Sequence, residues 1–132
     1  MQPSEVYLEF KMNQKNYLLP IIYVQEVLEC HQLRPLPLDH PIIGGVINLR
    51  GMVIPILKSI HCEKNKVARL ILIKAKEDLF AIQASLIKKI VLDQAQLQVI
   101  EQEEFITIND YPYQLLKIED VLGDFHENQK TA

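Results

Sequence analysis

The chain has 132 residues, 48% hydrophobic and 23% charged, with a formal net charge of −3. That length fits a single domain able to bury a real core, and it leaves no room for a catalytic and a regulatory domain together. A mean hydropathy of +0.03 with 17 acidic and 14 basic residues argues against disorder, and the slight acidity against a phosphate-neutralising nucleic-acid binder. No apolar run approaches the ~20 residues that cross a bilayer as a helix. Met1-Gln2-Pro3-Ser4-Glu5 lacks the basic start and apolar stretch of a secretion signal. A soluble cytoplasmic protein is expected, with Cys30 and Cys62 as thiols rather than a disulfide framework.

Val6, Leu8, Phe10 and Met12 alternate with Tyr7, Glu9 and Lys11, the period of a half-buried strand. Across Asn13-Gln14-Lys15-Asn16 the apolar pattern resumes at Tyr17 to Ile22, predicting a hairpin whose second strand is an edge or is interrupted at Pro20. Val24, Val27 and Leu28 continue toward Cys30, with Glu26 among them, and Arg34-Pro35-Leu36-Pro37 must be extended. Asp39-His40-Pro41 reads as a helix start. The glycine-rich Ile42 to Gly51 then reads as one short helical turn followed by a bend. Met52 to Leu57 is an apolar strand with a break or free edge at Pro55.

A polar stretch, Glu63-Lys64-Asn65-Lys66, separates the halves. Val67 to Ile73 and Leu79 to Ala84 form a predicted second hairpin across residues 74–78, with Ile87 to Leu92 as a third strand and Phe105 to Ile108 as a fourth. Tyr113 to Leu116 is a last strand before a short helix over Ile118 to Leu122. Short, regular strands without long helices point to small barrels, and no exact repeat is visible.

Chemistry is hard to find. Gly44-Gly45 has no Lys-Ser/Thr pair after it, and none of Ser4, Ser59 or Ser85 sits in a nucleophile elbow. Cys30-His31 and His61-Cys62 have the ligand types of a zinc site, but adjacent strand residues point to opposite faces and the usual spacer is missing. Buried thiols and surface histidines are the ordinary reading, with His40 and His126 beside turns. Glu101, Glu103 and Glu104 read as a solvated strand entrance rather than an acidic binding surface, and Lys88-Lys89 is too small a patch for nucleic acid. No active site, metal or cofactor is expected.

Three segments carry a different signal. Gly44-Gly45-Val46-Ile47-Asn48-Leu49-Arg50-Gly51-Met52-Val53-Ile54-Pro55-Ile56 resembles the G-V-x-N-L-R-G-x-x-x-P signature of the CheW-like family, the bacterial chemotaxis coupling proteins. Pro20 to Val27 is similar to that family's strand ending in V-x-E-I/V, and Leu36-Pro37 followed by Pro41-Ile42-Ile43 keeps its proline spacing. The three stay in order over residues 6 to 57; the second half matches by strand rhythm and by the closing Leu115 to Leu122.

The resemblance implies an all-β fold of two small five-stranded, SH3/OB-like barrels sharing a hydrophobic seam, with short helices, the last at the C-terminus. Residues 1–132 would form one domain. Sub-barrel one would come mainly from 16–62 and sub-barrel two mainly from 67–117, with the N-terminal strand able to pair across and a C-terminal helix over 118–123. It implies a non-catalytic adaptor joining the cytoplasmic hairpin tip of methyl-accepting chemoreceptors to the regulatory domain of a CheA-type histidine kinase, held at receptor arrays and touching the membrane only through receptors. By match of position, Ile21, Val24, Val46 and Leu49 would form an apolar groove for the receptor. Glu26, Asn48 and Arg50 complete the receptor-facing set, with an Arg50–Glu26 pair bracing the surface if Arg50 is half buried; the alternatives are that Arg50 only pins the loop to nearby carbonyls and that the four apolar residues are simply core.

The chain also departs from the family's habits. Lys58 and Lys117 stand near positions where aspartate is usual, Ser85 replaces another, Leu18 follows Tyr17 where glycine is common, and no glycine occurs between Gly51 and Gly123. Loops tied by those carboxylates must be held otherwise. A divergent member is implied, with three functional readings. The first is the two-partner adaptor; the second is a module that binds one partner as a competitor, in a system driving pili or another non-flagellar output. The third, a small-molecule or nucleic-acid barrel, is disfavoured by charge and by the lack of interleaved aromatics.

Overall fold

The computed structural model describes residues 5–29, 42–57, 69–121 and 123. Within them the chain forms strands β1 (Glu5–Met12), β2 (Lys15–Pro20), β3 (Val24–Glu29), β4 (Ile43–Leu49), β5 (Met52–Leu57), β6 (Arg69–Ala75) and β7 (Asp78–Leu92), then helix α1 (Gln94–Glu103) and strands β8 (Phe105–Ile108) and β9 (Tyr111–Leu115). A 3-10 turn, Ile21–Tyr23, joins β2 to β3, and a last helical turn begins at Ile118.

The pairings divide the strands into two five-stranded sheets that share β7. In one, β3 pairs β6, β6 pairs the first half of β7, and β5 links β7 to β4. In the other, the second half of β7 pairs β1, followed by β2, β9 and β8. The mostly-β fold class stands. The expected partition does not: β2 hydrogen-bonds to β1 and β9, while β6 and residues 78–84 belong with β3 rather than with the C-terminal strands. A Pro20 without a ladder N–H ends β2 and lets the chain cross to the other sheet at Ile21–Tyr23.

Strand periodicity explains three apolar clusters. Leu70 and Leu72 face Ile47, Ile54, Ile56 and Ala81 inside the first sheet. Tyr7 and Leu18 face Leu92, Leu97, Ile100 and Ile106 inside the second. The alternate residues Leu8, Phe10 and Leu19 meet Ile71, Ile73, Phe80 and Ile82 between the two sheets. Runs such as Leu70-Ile71-Leu72-Ile73, with no polar alternation, are therefore strands buried on both faces. This is the shared seam.

Other expectations change. Ile43–Leu49 is a strand and not a helical turn with a bend, because Val46-Ile47 lies in register against Ile54-Pro55. The glycines that argue against a helix accommodate a register shift between Ile43 and Gly45. Pro55 does not break β5, whose ladder with β7 is the single pair Ile56–Ala81. Ile87 to Leu92 is the second half of a continuous 15-residue β7. The Asp39-His40-Pro41 helix start lies outside the described residues.

Helix α1 stands where no helix was expected, and it moves Glu101 and Glu103 from a strand entrance to the end of a helix, with Glu104 as its C-cap. The local cause is a capping box. Asp93 accepts from the Gln96 N–H at 2.8 Å, and the Gln96 side chain accepts from the Asp93 N–H at 3.0 Å. Asp93→Ala is expected to cost about 1 kcal/mol, read as a fall of a few degrees in the thermal midpoint. An unchanged midpoint would show that burial of Leu97 and Ile100 alone holds the helix.

At the C-cap, Glu104 turns left-handed (φ 64°) and its carboxylate accepts from Lys117, whose ammonium this hydrogen bond holds above the ordinary lysine range. A lysine at 117 thus finds its partner on the preceding helix end.

Candidate functional site

The β4–β5 hairpin closes between Leu49 and Met52, leaving two residues in the turn. Both have positive φ, 49° at Arg50 and 84° at Gly51, the pattern of a type I′ turn that matches strand twist. A Cβ at Gly51 would meet nothing within 4 Å, so glycine is needed there for its backbone angle and not for space. The Asn48 side chain accepts from the Gly51 N–H at 3.2 Å and pins the turn. Asn-Leu-Arg-Gly is thus a turn specification with one anomalous member, Arg50.

The anomaly shows by comparison inside the molecule. The β1–β2 and β8–β9 hairpins also turn through two positive-φ residues, and each places asparagine first, Asn13 and Asn109, whereas the β6–β7 turn opens on Lys76 at φ 57° with no second left-handed residue. Asparagine tolerates the left-handed region; arginine there costs about 1 kcal/mol more. What arginine adds is its guanidinium, which donates through Nη2 to Oε1 of Glu26. Glu26 lies on β3, where a register shift between Val24 and Glu26 re-aims the strand. Since β3 and β4 are the two ends of the first sheet, the pair ties one end to the other.

The candidate partner is present, although Arg50 does not meet the condition of half-burial that would have required one. The Arg50 side chain is 68% exposed and that of Glu26 30%. An ion pair so open to water contributes about 0–1 kcal/mol, which does not clearly offset the strain beneath it. A strained, exposed, oriented guanidinium is a feature that stability alone does not select.

The remaining candidates divide. Leu49 is half-buried against the first sheet's cluster. Ile21 and Val24 are half-buried against the seam, at the sheet crossing, with Val24 two residues from Glu26. Val46 is half-buried opposite Pro55 on the outer face of the hairpin. The structure thus bonds Arg50 to Glu26, ties Asn48 to the same turn through the Gly51 N–H, and leaves the four apolar residues as partly core, partly surface. Reading the residues missed Met52 and Val53, 54% and 68% exposed beside the turn. The signal for Val53 was available, because an inward Ile54 and Ile56 require Val53 to point outward; Met52 shares the parity of Ile54 and carried no such signal.

Among the described residues no group of three or more His, Cys, Asp or Glu is placed to hold a metal ion. Cys30, His31, His61 and Cys62 lie outside them. Among the same residues no helix is long and apolar enough to cross a membrane.

The site is thus a two-sheet β unit with an exposed, charged hairpin tip. Comparison gives the family: the CheW-like domain matches residues 6–98, and the chain belongs to the CheW-like domain family. The crystal structure of scaffolding protein TtCheW from Thermoanaerobacter tengcongensis has a similar fold, with a TM-score of 0.70 at 19% identity over 89% of this chain and 86% of that one. Among curated proteins nothing matches.

Proposed function

We propose that the chain is a non-catalytic adaptor of a bacterial chemosensory array, coupling the hairpin tip of methyl-accepting chemoreceptors to the regulatory domain of a CheA-type histidine kinase. Family membership supports a scaffolding role in chemotaxis. The observation that carries the receptor side is the left-handed Arg50 turn tied to Glu26. A receptor tip is a helical hairpin, and such a partner calls for apolar anchors with a polar rim. Half-buried Leu49, Val46, Val24 and Ile21, with exposed Met52 and Val53, are the apolar set, and Arg50, Glu26 and Asn48 the rim. The chain itself would be cytoplasmic and reach the membrane through the receptors it holds.

The test is simultaneous capture. Immobilised chain is expected to retain a receptor hairpin fragment and a kinase regulatory domain together, each without displacing the other. Retention of one alone would replace this reading with the single-partner competitor, and retention of neither would end it.

A further inference from the structure

Among the described residues eight non-glycine positions have positive φ, and seven of them are polar residues in turns or at the helix cap. The eighth is Leu86, φ 52°, inside β7. Lys11 lies opposite Ser85 and Glu9 opposite Lys88, so one residue of β1, Phe10, faces two of β7, Leu86 and Ile87. That is a β-bulge whose left-handed position, where glycine is easiest, holds a leucine that is 76% exposed. Neither the strain nor the exposure favours the bulge, so another contact must hold it.

The apolar pattern does not. Beyond the bulge β7 reads Ile87-Lys88-Lys89-Ile90-Val91-Leu92, and each of its two faces carries one lysine and two aliphatic residues. As built, Ile90 and Leu92 enter the second sheet's cluster, Ile87 lies against the seam, and Val91 is 60% exposed. A slip of one residue against β1 removes the bulge, setting Leu86 opposite Phe10, Ile87 opposite Glu9 and Lys89 opposite Tyr7. Ile87 and Val91 then turn into the second sheet, and Leu86 needs no left-handed backbone. The slip forfeits the burial of Leu92 but exchanges one apolar set for another, so hydrophobicity specifies this register weakly.

The contact that discriminates is charged. Glu9 is 5% exposed, and its carboxylate meets the Lys88 ammonium at 3.0 Å from directly across the ladder. In the slipped register Ile87 stands in place of Lys88, and a buried carboxylate facing an aliphatic side chain is strongly disfavoured. Fixing register is the best-attested structural use of a buried polar pair. We propose that the second half of β7 has two registers and that the Glu9–Lys88 pair selects the bulged one. The first half stays on β6 and β5 in either case. Because the two sheets share β7, the selected register sets how the second sheet sits against the first.

The variant Glu9→Leu removes the selector without leaving a buried charge, since the Lys88 side chain is 74% exposed and solvent takes it. NMR of the wild-type chain is expected to show a cross-strand contact from Tyr7 to Ile90. Glu9→Leu should add a second set of resonances for residues 86–92, with a Tyr7–Lys89 contact, its population rising from below about 1% to about 10% or more. Adding Leu86→Gly, which relieves the left-handed residue, should return the chain to the bulged set alone. Amides of the Asn48–Gly51 turn should not shift in any variant, which separates a slip from general loosening. A Glu9→Leu chain that keeps the Tyr7–Ile90 contact alone would overturn the proposal. So would loss of the second sheet's dispersed signals, which would make the pair a stability element only, or a double variant as mixed as Glu9→Leu.

Discussion

Arg50→Asn should leave the protein about as stable as before while weakening receptor-tip binding roughly 30-fold. Two small terms oppose each other in the fold. Asparagine relieves about 1 kcal/mol of left-handed strain, as Asn13 and Asn109 do in the sister hairpins, and the exposed ion pair with Glu26 forfeits about 0–1 kcal/mol. The net change in a urea titration is thus within about 1 kcal/mol of zero. Binding has no such compensation, because an interfacial arginine that acts as a hot spot contributes at least about 2 kcal/mol. Calorimetry against a receptor hairpin fragment separates the two quantities. A variant that loses several kcal/mol of stability would make Arg50 a structural latch, and one that binds as before would take it out of the docking surface.

Phe10→Ala is expected to have the largest effect on folding. Phe10 is 2% exposed and stacks on Tyr17 with ring centroids 5.8 Å apart and planes 17° from parallel. It belongs to the cluster that the two sheets share, so its cavity would loosen both at once. Removing a buried phenylalanine costs about 3–5 kcal/mol, a large part of the 5–15 kcal/mol that holds an ordinary domain. The urea midpoint should fall steeply, in one transition followed equally by all probes. Two separated transitions would mean that the sheets fold independently and that the seam is a mere contact.

What could be read from the residues, and what could not, follows the range of the interactions. The β1–β2 and β6–β7 hairpins were legible because alternation and a polar turn are local signals. The Arg50–Glu26 pair was legible only through family resemblance, since nothing near either residue announces a partner on the far end of the sheet. Strand β4 was hidden by Gly44 and Gly45, which lower the strand signal and here serve a register shift. Helix α1 buries only Leu97 and Ile100, too little periodicity to stand out, although its capping box at Asp93 and Gln96 was in plain view. The continuity of β7 through Leu86 had no signal, because a leucine predicts no left-handed kink. The partition into sheets failed for a further reason: β3 finds β6 across a long stretch of chain, and such non-local pairing leaves no trace in a window of residues.

A double-mutant cycle on Glu26 and Arg50, read out as affinity for a receptor hairpin fragment, puts the greatest strain on the idea that this turn is a built docking determinant. A coupling of about 1 kcal/mol or more between Glu26→Gln and Arg50→Gln is expected, with thermal midpoints little changed. Losses that simply add, or two variants that bind like the wild type, would contradict it.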